Sequence, residues 1–307
     1  MRYVKWLSHY TDSRESAVTF GKFDGLHLGH QRLIQKVQEL KREKHVISLV
    51  CAFDMRPLWR ANHLHKERLM TGRERIHHLD GEVDYLLECP FTEKFRNITA
   101  ENFIKDIICN RFHAKYVVVG TDFHFGKDQG GDIHMLEEYS EKYGYELVVV
   151  EKERYYDQVI SSTYIRDVLK NGNLALTNYL LGYPFEINGR VERGRQLGRT
   201  LGFPTMNVAW PEYKIVPPRG VYISEITIDG IKYPGISNIG IRPTVARDNK
   251  VVLESFLFHF SEDAYGRKVK VELLEFTRPE QKFENVKEMK ECVDKDILYA
   301  KKYFGIE

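Results

Sequence analysis

The sequence is poor in cysteine, in charge of one sign and in long apolar runs, and each shortage removes a class of protein. Its four cysteines are Cys51, Cys89, Cys109 and Cys292, and no two stand in a C-x-x-C pair. Zinc ribbons and thioredoxin-type redox motifs are thereby unsupported, and a reducing, cytoplasmic home is expected. The formal net charge is +2, too small to argue for a nucleic-acid or membrane partner. Local clusters such as Lys41-Arg42-Glu43-Lys44 mix signs and read as a solvated face. No apolar run reaches the roughly 18 residues of a membrane helix, and the N-terminus lacks the apolar core and small-residue cleavage site of a signal peptide. A Walker G-K-[ST] loop and the dinucleotide pattern G-x-G-x-x-G are missing too.

With 307 residues, 42% of them hydrophobic, the chain has material for two domains. Short Val/Ile/Leu-rich runs alternate with helical patterns through the first half. Ala17–Gly21, Val46–Phe53, Asp84–Glu88, Lys115–Gly120 and Glu146–Val150 read as strands. Residues 31–43 read as a helix with Leu33, Ile34, Val37 and Leu40 on one face, Thr99 as the N-cap of a helix to Asn110, and residues 132–143 as another helix. Near-continuous apolar strands separated by helices predict a doubly wound parallel sheet covered on both faces. Two short helices, Ser162–Leu169 and Leu174–Leu181, close this half, and the boundary is placed at 183/184.

Beyond residue 184 alternation takes over. Gly220–Ile228, Asp229-Gly230 and Ile231 onward predict a hairpin with a type I′ turn. Val251–Phe260 and Lys268–Phe276 are further strands, and strands without helices between them predict a small barrel. A terminal helix over residues 285–304 aligns Val286, Met289, Val293, Ile297, Ala300 and Phe304 in one stripe to pack on it.

Two stretches carry chemistry. The first strand runs directly into Gly21-Lys22-Phe23-Asp24-Gly25-Leu26-His27-Leu28-Gly29-His30. This is the first β-to-α turn of an α/β sheet, where glycines let a ligand approach and a helix N-terminus favours phosphate. An H-x-x-H pair can also bind metal or cap a helix, but its place after a buried strand favours phosphate. The second stretch runs from Gly194 through Gly198, Arg199, Gly202, Phe203 and Pro204 to Thr205 and Asn207. Two residues apart in extended chain, Thr205 and Asn207 direct two oxygens to one side, a fit for Mg²⁺. Farther on, alternation puts Glu254 on one face with Val252, Phe256, Phe258 and Phe260. A carboxylate there is either satisfied structurally or kept for chemistry, and alternation alone leaves both open.

The first stretch resembles the HxGH signature of nucleotidyltransferases, and its longer form is similar to the FAD synthetase module of bacterial bifunctional riboflavin kinase/FMN adenylyltransferases. Val119-Gly120-Thr121-Asp122-Phe123-His124-Phe125-Gly126 resembles that family's G-x-D-F-x-F-G loop. Ile160-Ser161-Ser162-Thr163-Tyr164-Ile165-Arg166 resembles its I-S-S-T-x-I-R motif, and residues 189–207 its riboflavin kinase signature. The resemblance implies a Rossmann-like nucleotidyltransferase domain over residues 1–183 and a β-barrel riboflavin kinase domain with a terminal helix over 184–307. It implies ATP and Mg²⁺ as co-substrate and metal, riboflavin, FMN and FAD as substrates and products, and a monomer or weak homo-oligomer.

At the first site it implies His27, His30 and Arg166 as catalytic groups. Gly21, Phe23, Asp24, Gly25, Gly29, Ser161, Ser162 and Thr163 would surround ATP, and Asp54, Arg56, Asp122, Phe123 and Phe125 the flavin. At the second it implies Glu254 as general base, Gly194, Gly198, Arg199, Gly202, Phe203 and Pro204 around ATP, Thr205 and Asn207 on the metal, and Arg278 on the flavin side. The sequence departs from the family at Phe53-Asp54-Met55-Arg56-Pro57, where F-D-P-H-P is usual. That departure implies altered flavin-side contacts. His259 for Asp and Met206 for Ala are smaller changes.

Overall fold

The computed structural model describes residues 1–64, 66–193, 202–242 and 250–306. Contacts divide the chain into two units, Met1–Ser162 and Thr163–Glu307.

The first unit is a six-stranded parallel sheet. Its strands are β1 (Arg2–Lys5), β2 (Ser16–Gly21), β3 (Ile47–Asp54), β4 (Tyr85–Pro90), β5 (Ala114–Gly120) and β6 (Glu146–Val150), in the order β1-β4-β3-β2-β5-β6. Between them run α1 (Leu28–Lys44), α2 (Arg56–Ala61), α3 (Gly72–Leu79), α4 (Glu93–Arg96), α5 (Ala100–Asn102) and α6 (Ile133–Tyr143). Val37 and Leu40 of α1 cover Ala17 and Val118 on one face of the sheet. Phe103, Ile104 and Leu136 cover Val18, Leu49 and Cys51 on the other. Each large apolar side chain so buried is worth about 1.5–3 kcal/mol.

Thr99 caps α5 through the N–H of Asn102, as its position in the sequence predicts, but the helix continues as a π-helical segment over Phe103–Cys109. β1 escaped the sequence reading: its four residues are exposed or half-buried and show no alternation. After β6 come a short hairpin, β7 (Arg154–Tyr155) and β8 (Gln158–Val159), and then α7 (Ser162–Lys170), whose first residue closes the unit. Strand order reverses direction at β2, with β3 on one side and β5 on the other. The crevice outside the carboxyl ends of β2 and β5 is therefore the topological switch point where such sheets bind ligands.

The second unit holds α8 (Leu174–Leu181) and a closed barrel. Its strands are β9 (Glu186–Glu192), β10 (Met206–Ala209), β11 (Gly220–Ile228), β12 (Ile231–Arg242), β13 (Lys250–Leu257) and β14 (Lys268–Pro279), joined as β10-β13-β12-β11-β14-β9. The predicted hairpin turn is present, with φ of 50° at Asp229 and 84° at Gly230. α8 is tied to the barrel by Asn178, which donates to the Leu273 carbonyl and accepts from the Phe185 N–H.

The terminal helix, α9 (Val286–Phe304), lays Val293, Ile297, Ala300 and Phe304 on Val221, Ile223 and Ile236. Val286, expected on that stripe, is 60% exposed because it stands in the first turn, beyond the packed patch. The strand expected to reach Phe260 ends at Leu257. His259 takes a φ of 59°, which breaks the alternation after Phe258: Phe258 still packs with Phe256 of the Glu254 face, whereas Phe260 lies beyond the break.

Candidate active sites

The loop after β2 is bent by left-handed backbone at Phe23, Gly25 and Leu26, with φ of 45°, 85° and 39°. It is held from two directions. Asp24 accepts the N–H groups of Leu69 (2.9 Å) and Met70 (3.3 Å), and its carbonyl accepts the Ser162 hydroxyl (2.8 Å). The Asp24 carboxylate thus braces the loop, and Phe23 is wholly buried beneath it.

His27 is the N-cap of α1, a 17-residue helix with no acid in its first turn, so its positive end is uncompensated. Its imidazole stacks on that of His30 with centroids 3.7 Å apart. Gly29 sits between them on the helix, where a Cβ would approach His27 Nδ1 to 3.3 Å. Among the described residues, the Nδ1 atoms of both histidines are buried without a hydrogen-bond partner. Burial pushes His27 down to about 4; for His30 burial, then His27 and Arg75, hold it well below the usual imidazole range.

Two neutral imidazoles with orphaned nitrogens at a helix N-terminus are short of an anion. A polyphosphate would supply acceptors and favour the protonated form, raising both pKa values. ATP binding at about pH 6 is therefore expected to take up protons, and at about pH 9 to take up none. Calorimetry in buffers of different ionisation enthalpy measures this.

Ser162 opens α7; Thr163 and Arg166 follow in the second unit, where Arg166 Nη2 donates to Thr163 Oγ1 at 3.0 Å, one turn along the helix. Ser161 directly precedes α7. Of the flavin-side candidates, Phe123 stacks between Phe20 (6.0 Å) and Phe125 (5.6 Å). Phe125 is buried against Phe103 and exchanges backbone hydrogen bonds with Gly131, which places it in the core. Asp122 is exposed and pairs with Lys152 at 2.7 Å. Gly126, with a φ of 75°, has no room for a Cβ, which would lie 2.7 Å from the Ala100 backbone.

Arg56 turns back on its own strand end. It grips Asp54 bidentately, Nε to Oδ1 at 2.7 Å and Nη2 to Oδ2 at 2.8 Å. Three neighbours escaped the sequence reading. Arg75 of α3 is 1% exposed and donates to Glu88 Oε1 (2.7 Å) and to the Lys22 carbonyl (3.2 Å) of the histidine loop. Glu88 Oε2 accepts from Tyr3. Arg68 is 7% exposed and stands 3.9 Å from Asp54. The only available signal was the Thr71/Glu74 capping box, which fixes α3 but says nothing of which face Arg75 takes.

In the barrel, Asn207 of β10 lies directly opposite Glu254 of β13, and Glu254 directly opposite Asn238 of β12. Directly opposed residues share a face, so the three form one polar row. On the other face Ser224, Ser237 and Ser255 are buried and joined by hydroxyl contacts of 2.7 Å each. Asn238 escaped assignment in the sequence, because its place in the row depends on register. Gly202 (φ 89°), buried Phe203, exposed Pro204 and half-buried Thr205 lead into β10. Gly194, Gly198 and Arg199 lie outside the described residues.

Arg278, expected on the flavin side, forms an ion pair within its unit. It holds Asp296 of α9 through Nε at 3.0 Å and Nη2 at 2.7 Å, with Asp296 buried. Arg278→Ala would strand that carboxylate and is expected to lower unfolding free energy by about 2 kcal/mol, read by urea denaturation, without a selective rise in KM for flavin.

Residues 9–164 match the FAD synthetase family and residues 181–304 the riboflavin kinase family. A protein of Escherichia coli strain K12, named bifunctional riboflavin kinase/FMN adenylyltransferase, is 39% identical over 292 residues, covering 94% of this chain and 93% of its own. The protein of that name from Pseudomonas fluorescens is 34% identical over 303 residues, covering 98% and 97%. A crystal structure from Streptococcus pneumoniae, described as a macrolide-efflux protein, superposes with a TM-score of 0.85 at 28% identity over 96% of each chain. Among the described residues no helix is long and apolar enough to cross a membrane.

Proposed function

The chain belongs to the bifunctional riboflavin kinase/FMN adenylyltransferase family, and from that premise we propose that its two sites work in sequence, the barrel making FMN and the parallel-sheet unit converting it to FAD. The modules are assigned to residues 1–183 and 184–307, in the cytoplasm, acting on small molecules without nucleic acid or membrane, as a monomer or weak homo-oligomer.

In the barrel, Glu254 takes the proton of the ribityl 5′-hydroxyl. The freed oxygen attacks the γ-phosphorus of ATP, the bond to the β,γ-bridging oxygen breaks, and ADP leaves. Thr205 and Asn207 offer a hydroxyl and an amide oxygen beside Glu254, a hard-donor pair that fits Mg²⁺ with its remaining positions on phosphates and water. Mg²⁺, when bound, neutralises charge on the phosphates. Gly194, Gly198, Arg199, Gly202, Phe203 and Pro204 are assigned to the loop around them.

In the first site, a phosphate oxygen of FMN attacks the α-phosphorus of ATP and pyrophosphate leaves. This chemistry is mostly positioning and charge stabilisation. His27 and His30 donate to the α-phosphate and the leaving group. Ser161, Ser162, Thr163 and Arg166 hold the pyrophosphate, and Asp54, Arg56, Asp122 and Phe123 border the flavin. The observation that carries this assignment is the stacked imidazole pair, buried and unpartnered at the start of α1.

The test is incubation of the purified chain with riboflavin, ATP and Mg²⁺, followed by chromatography of the flavins. FMN and FAD together establish both activities. FMN alone would favour a second reading, in which the Met55-Arg56 change has silenced adenylylation; the closure of Arg56 onto Asp54 is the observation in its favour.

A further inference from the structure

The acids around Arg68 are all engaged by other groups. Asp54 gives both oxygens to Arg56. Glu88 gives one to Arg75 and the other to Tyr3. Asp24 accepts the Leu69 and Met70 N–H groups. Arg68 itself is 7% exposed, its nearest carboxylate oxygen among the described residues is the one at 3.9 Å on Asp54, and no hydrogen bond joins its guanidinium to another described residue.

A guanidinium carries five donors and stays charged. Leaving it buried without an acceptor costs stability unless something else fills the gap. Beside it lies a second buried cation: Arg68 is among the charges that, after burial, pull Arg75 down to about 10. The Arg75 Nε is also buried and has no hydrogen-bond partner among the described residues. Two buried guanidiniums with open donors, next to the Lys22–Asp24 stretch of the histidine loop, have the fork geometry that matches a phosphoryl group.

We infer that Arg68, flanked by Arg75, is a receptor for a phosphoryl anion in the adenylyl-transfer site. The inference rests on the adenylyltransferase reading of this unit. The same chemistry has two sources there, the phosphomonoester of FMN and the polyphosphate of ATP. Asp54, at the end of β3, sits between Arg56 and Arg68, so the receptor opens on the side assigned to the flavin.

The experiment compares Arg68→Gln and Arg68→Lys with the parent chain in steady-state FAD formation, varying FMN and ATP separately. Loss of charge-assisted hydrogen bonds predicts a KM increase of about tenfold to a hundredfold in Arg68→Gln, and a smaller one in Arg68→Lys, which keeps the charge. A rise confined to FMN assigns the site to its phosphate, and a rise confined to ATP to the polyphosphate; either supports the receptor. Riboflavin phosphorylation by the same preparations reports whether the rest of the chain is intact, and should not change.

If both KM values stay within about twofold of the parent in both variants, the receptor is wrong and Arg68 serves packing alone. If Arg68→Gln fails to fold, Arg68→Lys supplies the readout. Calorimetric titration with pyrophosphate and with inorganic phosphate keeps the test separate from the activity. Should the parent form no FAD, the adenylyltransferase reading fails. Anion binding lost in the variants would still support the receptor, and binding unchanged in them would overturn it.

Discussion

Glu254→Ala is expected to lower riboflavin phosphorylation by about three orders of magnitude and to leave FMN adenylylation at its parental rate. The 5′-hydroxyl of a ribityl chain is a poor nucleophile until its proton has somewhere to go. Glu254 is the carboxylate that the barrel registers beside Asn207 and Asn238. The substitution removes the acceptor without touching the interior, since the buried neighbours in β13 are Leu253, Ser255 and Leu257, on the opposite face. Glu254→Gln separates roles further: it keeps size and hydrogen bonding but cannot take a proton, so it should be nearly as inactive. Assays of both reactions on one preparation check the point. Equal loss of both activities, in a chain that still melts like the parent, would sink the two-site assignment. A Gln variant with near-parental kinase activity would show that Glu254 positions substrate rather than accepting its proton.

The parts of the fold that could be read in the sequence are those where one local pattern suffices. Runs such as Leu49–Phe53 are apolar throughout because both faces of the sheet are covered. The Asp229-Gly230 turn declares itself by residue type. The histidine loop stood out in the sequence because a glycine-rich turn with two histidines directly follows a buried strand. Arg68 and Arg75 were not legible, because an arginine in a polar, charged segment looks like solvated surface until tertiary packing buries it. Asn238 needed barrel register. The Arg278–Asp296 pair spans 18 positions and depends on the rotation of α9, which the sequence leaves loose. In each case the missing information was a long-range pairing rather than a propensity.

His30→Ala should have the converse effect of Glu254→Ala, lowering FAD formation about a hundredfold to a thousandfold while riboflavin phosphorylation stays unchanged. The reason lies in what the imidazole lacks. His30 Nδ1 is buried without a partner among the described residues, and the ring is held between His27 at 3.7 Å and Phe23 at 5.1 Å. A group so fixed costs little to reorganise when charge develops on a phosphate, which is the condition for electrostatic catalysis. Alanine removes that donor and also an unsatisfied buried nitrogen, so it should not weaken the fold by more than the lost ring packing. The kinetic signature distinguishes catalysis from binding: a donor used in the transition state lowers kcat, whereas one used only to hold ATP raises KM. His30→Ala is expected to do mainly the first. A parental kcat with raised KM for ATP would reassign His30 to ground-state binding. Because burial keeps the imidazole neutral in the free chain, any proton it carries must arrive with the phosphate. The proton uptake expected on ATP binding should therefore shrink in the same variant.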